Sequence, residues 1–194
     1  MITTATKETR TSHRTPLISE RAWTAVKTVL DGRRDPDTID AGTLRMIDRA
    51  INARPGDRDA LLMLAIDPTL TAADAMDRVR HPHRPDIVRR DADTLTTQWR
   101  NGVADPERAR RGIALAKRIN KDHSLRLSTI DETGMTVRLS AQALTIAAYL
   151  EWWTGDEAAA HADAILAQGE ETDNTLAKII TRGIDRGARP HASH

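Results

Sequence analysis

Seven histidines, 28 Asp and Glu, and no cysteine set the chemistry open to this chain of 194 residues. His81-Pro82-His83 places two imidazoles two residues apart on a loop stiffened by Pro82 and Pro85, with Asp86 close behind. Two such rings can reach one ion, and borderline metals accept imidazole. A metal centre needs three or four ligands, and no HExxH or comparable second half accompanies the pair. His81 and His83 therefore read as a polar loop, and no metal or other cofactor is expected. Glu157 and His161 stand four residues apart on one helix, within hydrogen-bonding reach. Di-iron bundles use Glu-x-x-His three apart and in duplicate, so this single pair reads as helix surface. Without cysteine there is no thiolate nucleophile, disulfide or Cys-ligated zinc. Neither a Gly-x-Ser-x-Gly turn nor a glycine-rich phosphate loop occurs. No catalytic residue is identified, and the reading leans away from an enzyme.

Charge offers the next candidate. Residues 78–121 carry twelve Lys and Arg against five Asp and Glu. Phosphate contacts dominate nucleic-acid affinity and need such charge, which makes Arg84, Arg89, Arg90, Arg110, Arg111, Lys117 and Arg118 the candidate nucleic-acid contacts. Residues 151–173 carry seven acids and no Lys or Arg. The two segments also read as solvated faces of neighbouring elements that attract each other, or as complementary patches on separate chains. The isoelectric point of about 8.2 lies below the range typical of nucleic-acid modules. Trp152-Trp153 is the other candidate. Neighbouring helical residues point about 100° apart, so one indole can be core while the other anchors a protein partner. Both also fit inside the domain.

These residues need elements to hold them. The chain has no Phe, one Tyr and four Trp, so Leu, Ile, Ala, Val and Met must fill the interior. That composition favours close helix packing. Residues 1–16 lack apolar periodicity and read as a disordered tail rather than a secretory leader. No run of about 18 apolar residues exists, so no membrane span is expected. The absence of cysteine suits a cytoplasmic location. Ser19 caps a first helix, with Ile18 set to staple against Trp23. Asp40 starts a second, with Leu44, Ile47 and Ile51 on one face. Asp57 caps a short apolar helix from Arg58 to Ile66. Thr71-x-x-Asp74 reads as a capping box for a fourth. After the proline loop, Val88, Ala92, Leu95 and Trp99 share one helical face up to Gly102. Asp105-Pro106-Glu107 opens a helix to about Asn120. Leu125 and Leu127, then Met135, Val137 and Leu139, alternate with polar residues around Asp131-Glu132-Thr133-Gly134. This is a β-hairpin signal over residues 124–139, whose apolar side should pack on helices. Ser140 caps a helix to Gly155, Asp156 one to Gly169, and Thr172 or Asp173 one to Gly187. The expected architecture is mainly α: an irregular multi-helix bundle of helical hairpins with one β-hairpin. The expected parts are a helical N-terminal part (17–123), the hairpin and a three-helix block (140–190), in one compact domain.

Residues 140–190 are similar to the C-terminal helical part of an uncharacterised bacterial family, common in actinobacteria. The elements that carry the resemblance are Trp153 ahead of Gly155-Asp156, Ala160, Leu176-Ala177, Gly187 and Pro190. Arg58-Asp59-Ala60-Leu61-Leu62 resembles a further short motif of that family. The family's N-terminal α/β portion has no counterpart here, and Glu170-Glu171-Thr172-Asp173 stands in place of its Asp-Pro segment. The resemblance implies no activity. The block also looks somewhat like a tetratricopeptide helical pair, although no clean 34-residue repeat accompanies it. The expected role is a non-catalytic protein-interaction or scaffold module, through a protein partner or self-association. The alternative is a nucleic-acid-associated accessory protein using residues 78–121.

Overall fold

Nearly every helix begins on a side chain that satisfies its orphan amides. A computed structural model of the chain describes residues 18–131 and 134–190; the expected tail lies outside them. The elements are α1 Glu20–Leu30, a 3-10 turn Pro36–Thr38, α2 Ala41–Ala53, α3 Pro55–Ile66, α4 Ala72–Arg80, α5 Pro85–Asn101 and α6 Pro106–Leu127, then β1 Thr129–Asp131, β2 Gly134–Thr136, α7 Ala141–Trp153, α8 Glu157–Glu170 and α9 Thr175–Asp185. The mainly helical reading holds, with nine α-helices and one two-stranded antiparallel hairpin among the described residues. Ser19, Asp40, Asp105, Ser140 and Asp156 cap their helices as the sequence indicates. Thr71 and Asp74 form the reciprocal capping box.

The core is aliphatic and small-residue-rich. Helix α7 lies at its centre, buried at every position except Tyr149, and packs against α2, α3, α6, α8 and α9. Two glycines permit the closest approaches. A Cβ on Gly112 of α6 would sit 2.8 Å from Leu150 Cδ1 and 3.1 Å from Ala65 Cβ. A Cβ on Gly183 of α9 would sit 2.7 Å from the ring of Trp152. Helix ends inside the core need partners for their last carbonyls. Arg108 donates twice to Leu64 O near the end of α3, at 3.0 and 2.7 Å, and also bonds Asp31 at the end of α1. Arg111 donates to Leu30 O at 2.7 Å, and Gln98 to Ile66 O at 2.8 Å. Cationic donors at a helix C-terminus also oppose its negative dipole end.

Four expectations change. Helix α6 continues to Leu127, so Leu125 and Leu127 belong to its last turns and the hairpin is shorter than 124–139. Its apolar side does not pack on helices: Ile130 is 83% and Met135 67% exposed. Asp57 caps nothing. Helix α3 starts at Pro55, and Asp57 is fully buried in its first turn, 2.6 Å from Arg54 Nε. The last helix is capped by Asn174 rather than Thr172 or Asp173.

Candidate interaction surface

The loop that holds the two histidines is open. His81 caps the end of α4 and only approaches Asp77, at 3.9 Å, while His83 is exposed. No group of three metal-ligating side chains exists among the described residues. Glu157 and His161 do not bond each other: Glu157 pairs with Arg189 at 2.6 Å and His161 with Asp185 at 3.5 Å.

The basic segment is largely engaged within the chain. Arg84 bonds Asp77 and Asp86, and Arg78 bonds Asp91 at 2.7 Å. Arg110 pairs with Glu107, Arg118 with Asp37 at 3.2 Å, and Arg111 caps α1 while approaching Asp105. Arg90 reaches Thr69 at 3.2 Å and lies 4.0 Å from Asp67. Arg89 has no acidic partner among the described residues. Basic and acidic segments do meet, at one point. Lys117 of α6 lies 2.6 Å from Glu151 of α7 and 3.8 Å from Asp163 of α8.

Trp152 and Trp153 are both core residues, each 5% exposed. Trp152 donates its indole N–H to Ala188 O at 3.0 Å. Trp99 of α5 meets both edge-on, with centroids 5.3 and 6.0 Å away, and Tyr149 stacks on Trp153. Four of the five aromatic residues thus form one cluster that ties α5 to α7. In this arrangement neither indole offers surface to a partner.

Two polar clusters reach into the core, and the first of them escaped the sequence reading. The first holds the residue types of a hydrolytic triad: Asp48, His123 and Ser140. Its bonding pattern is different. Ser140 Oγ donates to Asp48 Oδ1 at 2.8 Å rather than to the histidine, and its residue is fully buried. His123 Nδ1 and Arg126 reach Asp48 Oδ2, each at 2.8 Å. With Asn52 also bonded to Asp48, the cluster is a strut joining α2, α6 and α7. It lacks the serine–histidine bond that nucleophilic activation needs. Asp48 lies on the same face as Leu44 and Ile51, and an acid inside an apolar stripe was the available signal. The second cluster is Glu151, Asp163 and Lys117. Burial pushes both carboxyls up, against the pull of Lys117. Lys117 is itself held above the usual lysine value, chiefly by its hydrogen bond to Glu151.

The most exposed apolar side chains lie at the end of α6 and on the hairpin arm that follows, while Val88, Ile165, Leu166 and Ile179 elsewhere are about half exposed. Ile130 and Met135 are direct cross-strand partners, so both side chains leave the same face of the hairpin. Leu125 is 75% exposed, and Leu127 and Val137 are close to half exposed. A lone two-stranded ribbon gains little stability from such side chains in water. The arm projects apolar groups that the fold itself does not use.

Compared with family models, characterised proteins and solved structures, the chain matches none.

Proposed function

We propose that this chain is a non-catalytic protein-interaction module whose docking element is the hairpin arm. The observation that carries this reading is the exposed cross-strand pair Ile130 and Met135. Covering an apolar side chain of this size contributes about 1.5–3 kcal/mol. Two of them at the centre of a contact supply the kind of anchor that dominates protein interfaces. The occupant would be a protein partner with an apolar cleft. The motif likeness of residues 58–62 and 140–190 to an uncharacterised bacterial family is compatible with this reading, since it brings no activity with it. Nucleic-acid binding through residues 78–121 gains no support, because the cations it needs are mostly engaged by in-chain carboxylates and carbonyls.

The test is the double variant Ile130→Ser with Met135→Ser. Its urea midpoint should match the parent within about 0.5 kcal/mol, because exposed side chains contribute little to folding. A purified partner that binds the parent should lose at least tenfold affinity for the double variant, about 1.4 kcal/mol or more. Equal affinity would overturn the assignment of the arm.

A further inference from the structure

Helix α5 holds a groove open beneath its first half. The stripe Val88, Ala92 and Leu95 follows helical spacing and would ordinarily bury itself against a neighbour. Here Val88 remains 50% exposed and Ala92 exposed, and both line a cavity of about 340 Å³. Ala60 and Met63 of α3 line it from the opposite side. The helix does not close because its attachments lie elsewhere. Ile87 is buried at its start, Gln98 and Trp99 fasten its far end, and the Arg78–Asp91 pair stands between α4 and α5. The volume falls in the range of small-molecule pockets, which are commonly apolar with a few polar groups at fixed points.

The polar groups specify charge. Arg78 is buried and committed: it donates from Nε and Nη2 to Asp91 and from Nη1 to Asp74 O at 3.2 Å. Its charge is already balanced by Asp91, 2.7 Å away, so it attracts an acidic ligand weakly. Asp91 takes its closest bonds on Oδ1, leaving Oδ2 with a single long contact of 3.3 Å. Asp59, also on the lining, accepts both Arg58 nitrogens on Oδ1 and is 56% exposed. Two carboxylates with spare acceptor capacity therefore border an apolar cleft whose one lining cation, Arg78, is already ion-paired. We propose that this groove binds a small apolar molecule carrying a protonated amine, with the hydrocarbon against Val88, Ala92 and Met63 and the ammonium at Asp59 and Asp91.

The experiment is calorimetric titration of the whole chain with 1-naphthylmethylamine, and with 1-naphthylacetate and 1-naphthylmethanol as anionic and neutral counterparts of the same shape. The amine should bind with a dissociation constant on the order of 100 µM, ordinary for a dozen-atom ligand. The acid should bind about tenfold or more weakly, and this preference should shrink as salt rises toward 1 M. Asp59→Asn should reduce amine affinity severalfold without moving the melting temperature. Ala92→Trp, introduced at an exposed position, should fill the groove and abolish binding. The proposal fails if amine and acid bind alike, if Ala92→Trp binds the amine as the parent does, or if no amine binding is seen at about 1 mM. Self-association of the parent that Ala92→Trp removes, without amine binding, would assign the groove to a second copy of the chain and overturn the proposal.

Discussion

At the scale of single residues, the decisive side chains are buried charges that close helix ends. Arg108 is 2% exposed and satisfies Leu64 O and Asp31 together. Arg108→Leu leaves a buried carbonyl and a carboxylate that keeps only Lys27, and should cost about 3–5 kcal/mol in urea unfolding. The carboxyls respond to pH in opposite directions. Burial pushes Asp31 up, but hydrogen bonds from Lys27 and Arg108 outweigh it and hold the group below its ordinary value. Its contribution is present above the usual carboxylate range and disappears as pH falls through the depressed value. Glu151 and Asp163 are raised, chiefly by burial. Their contribution is complete below the usual range and is lost as pH climbs through the raised values. Asp163→Asn keeps the 2.6 Å Lys117–Glu151 bond and removes one of the two raised acids. Between about pH 4.5 and 8 its urea midpoint should therefore fall less than that of the parent. A parallel decline in both proteins would refute this account of the cluster.

At the scale of elements, helix spacing is set by residues without side chains. Glycine within a helix ordinarily costs up to about 1 kcal/mol relative to alanine. At Gly112 and Gly183 the sign should reverse, because a methyl group would meet Leu150, Ala65 or the Trp152 ring at 2.7 to 3.1 Å. Gly112→Ala and Gly183→Ala should each lose about 1–3 kcal/mol. Gly169→Ala in α8, with nothing within 4 Å of the added carbon, should gain up to about 1 kcal/mol. Thermal unfolding of the three variants checks this, and uniform stabilisation would mean the crossings are looser than described. The boundary between α6 and the hairpin shows how local patterns mislead. Leu125 and Leu127 alternate with polar residues as a strand would, yet the helix continues through them. Both side chains face water, so burial gave their alternation no meaning.

At the scale of the whole molecule, opposite charges on distant segments are used to join helices. The basic stretch and the acidic stretch meet where Lys117 reaches Glu151 and Asp163, a three-helix contact between α6, α7 and α8. Much of the remaining basic charge goes into caps and short-range pairs. The triple variant Arg110→Ala, Arg111→Ala, Arg118→Ala should accordingly lower the melting temperature, mainly through the lost Arg111 bond to Leu30 O. It should leave fluorescence anisotropy with a random-sequence duplex at about 50 mM salt unchanged from the parent. Salt-sensitive duplex binding that the triple variant abolishes would restore the nucleic-acid reading.

Sequence alone determined the helices, because caps and apolar periodicity act within a few residues. Ser19, Asp40, Thr71 with Asp74, Asp105, Ser140 and Asp156 each mark a true start. Hydrophobic spacing, together with Pro and Gly breaks, also separated helix from loop through residues 18–120, apart from the start of α3. Tertiary structure decided which charges are free and which apolar groups are covered. Arg108, Arg110 and Arg111 read alike in sequence, yet one closes two helix ends in the core, one lies on the surface, and one caps α1. Trp152 and Trp153 could be read either as a split pair or as both packed and are both enclosed, while Ile130 and Met135 are left in water. Such outcomes depend on partners tens of residues away, and the chain's order along its length carries no direct record of them.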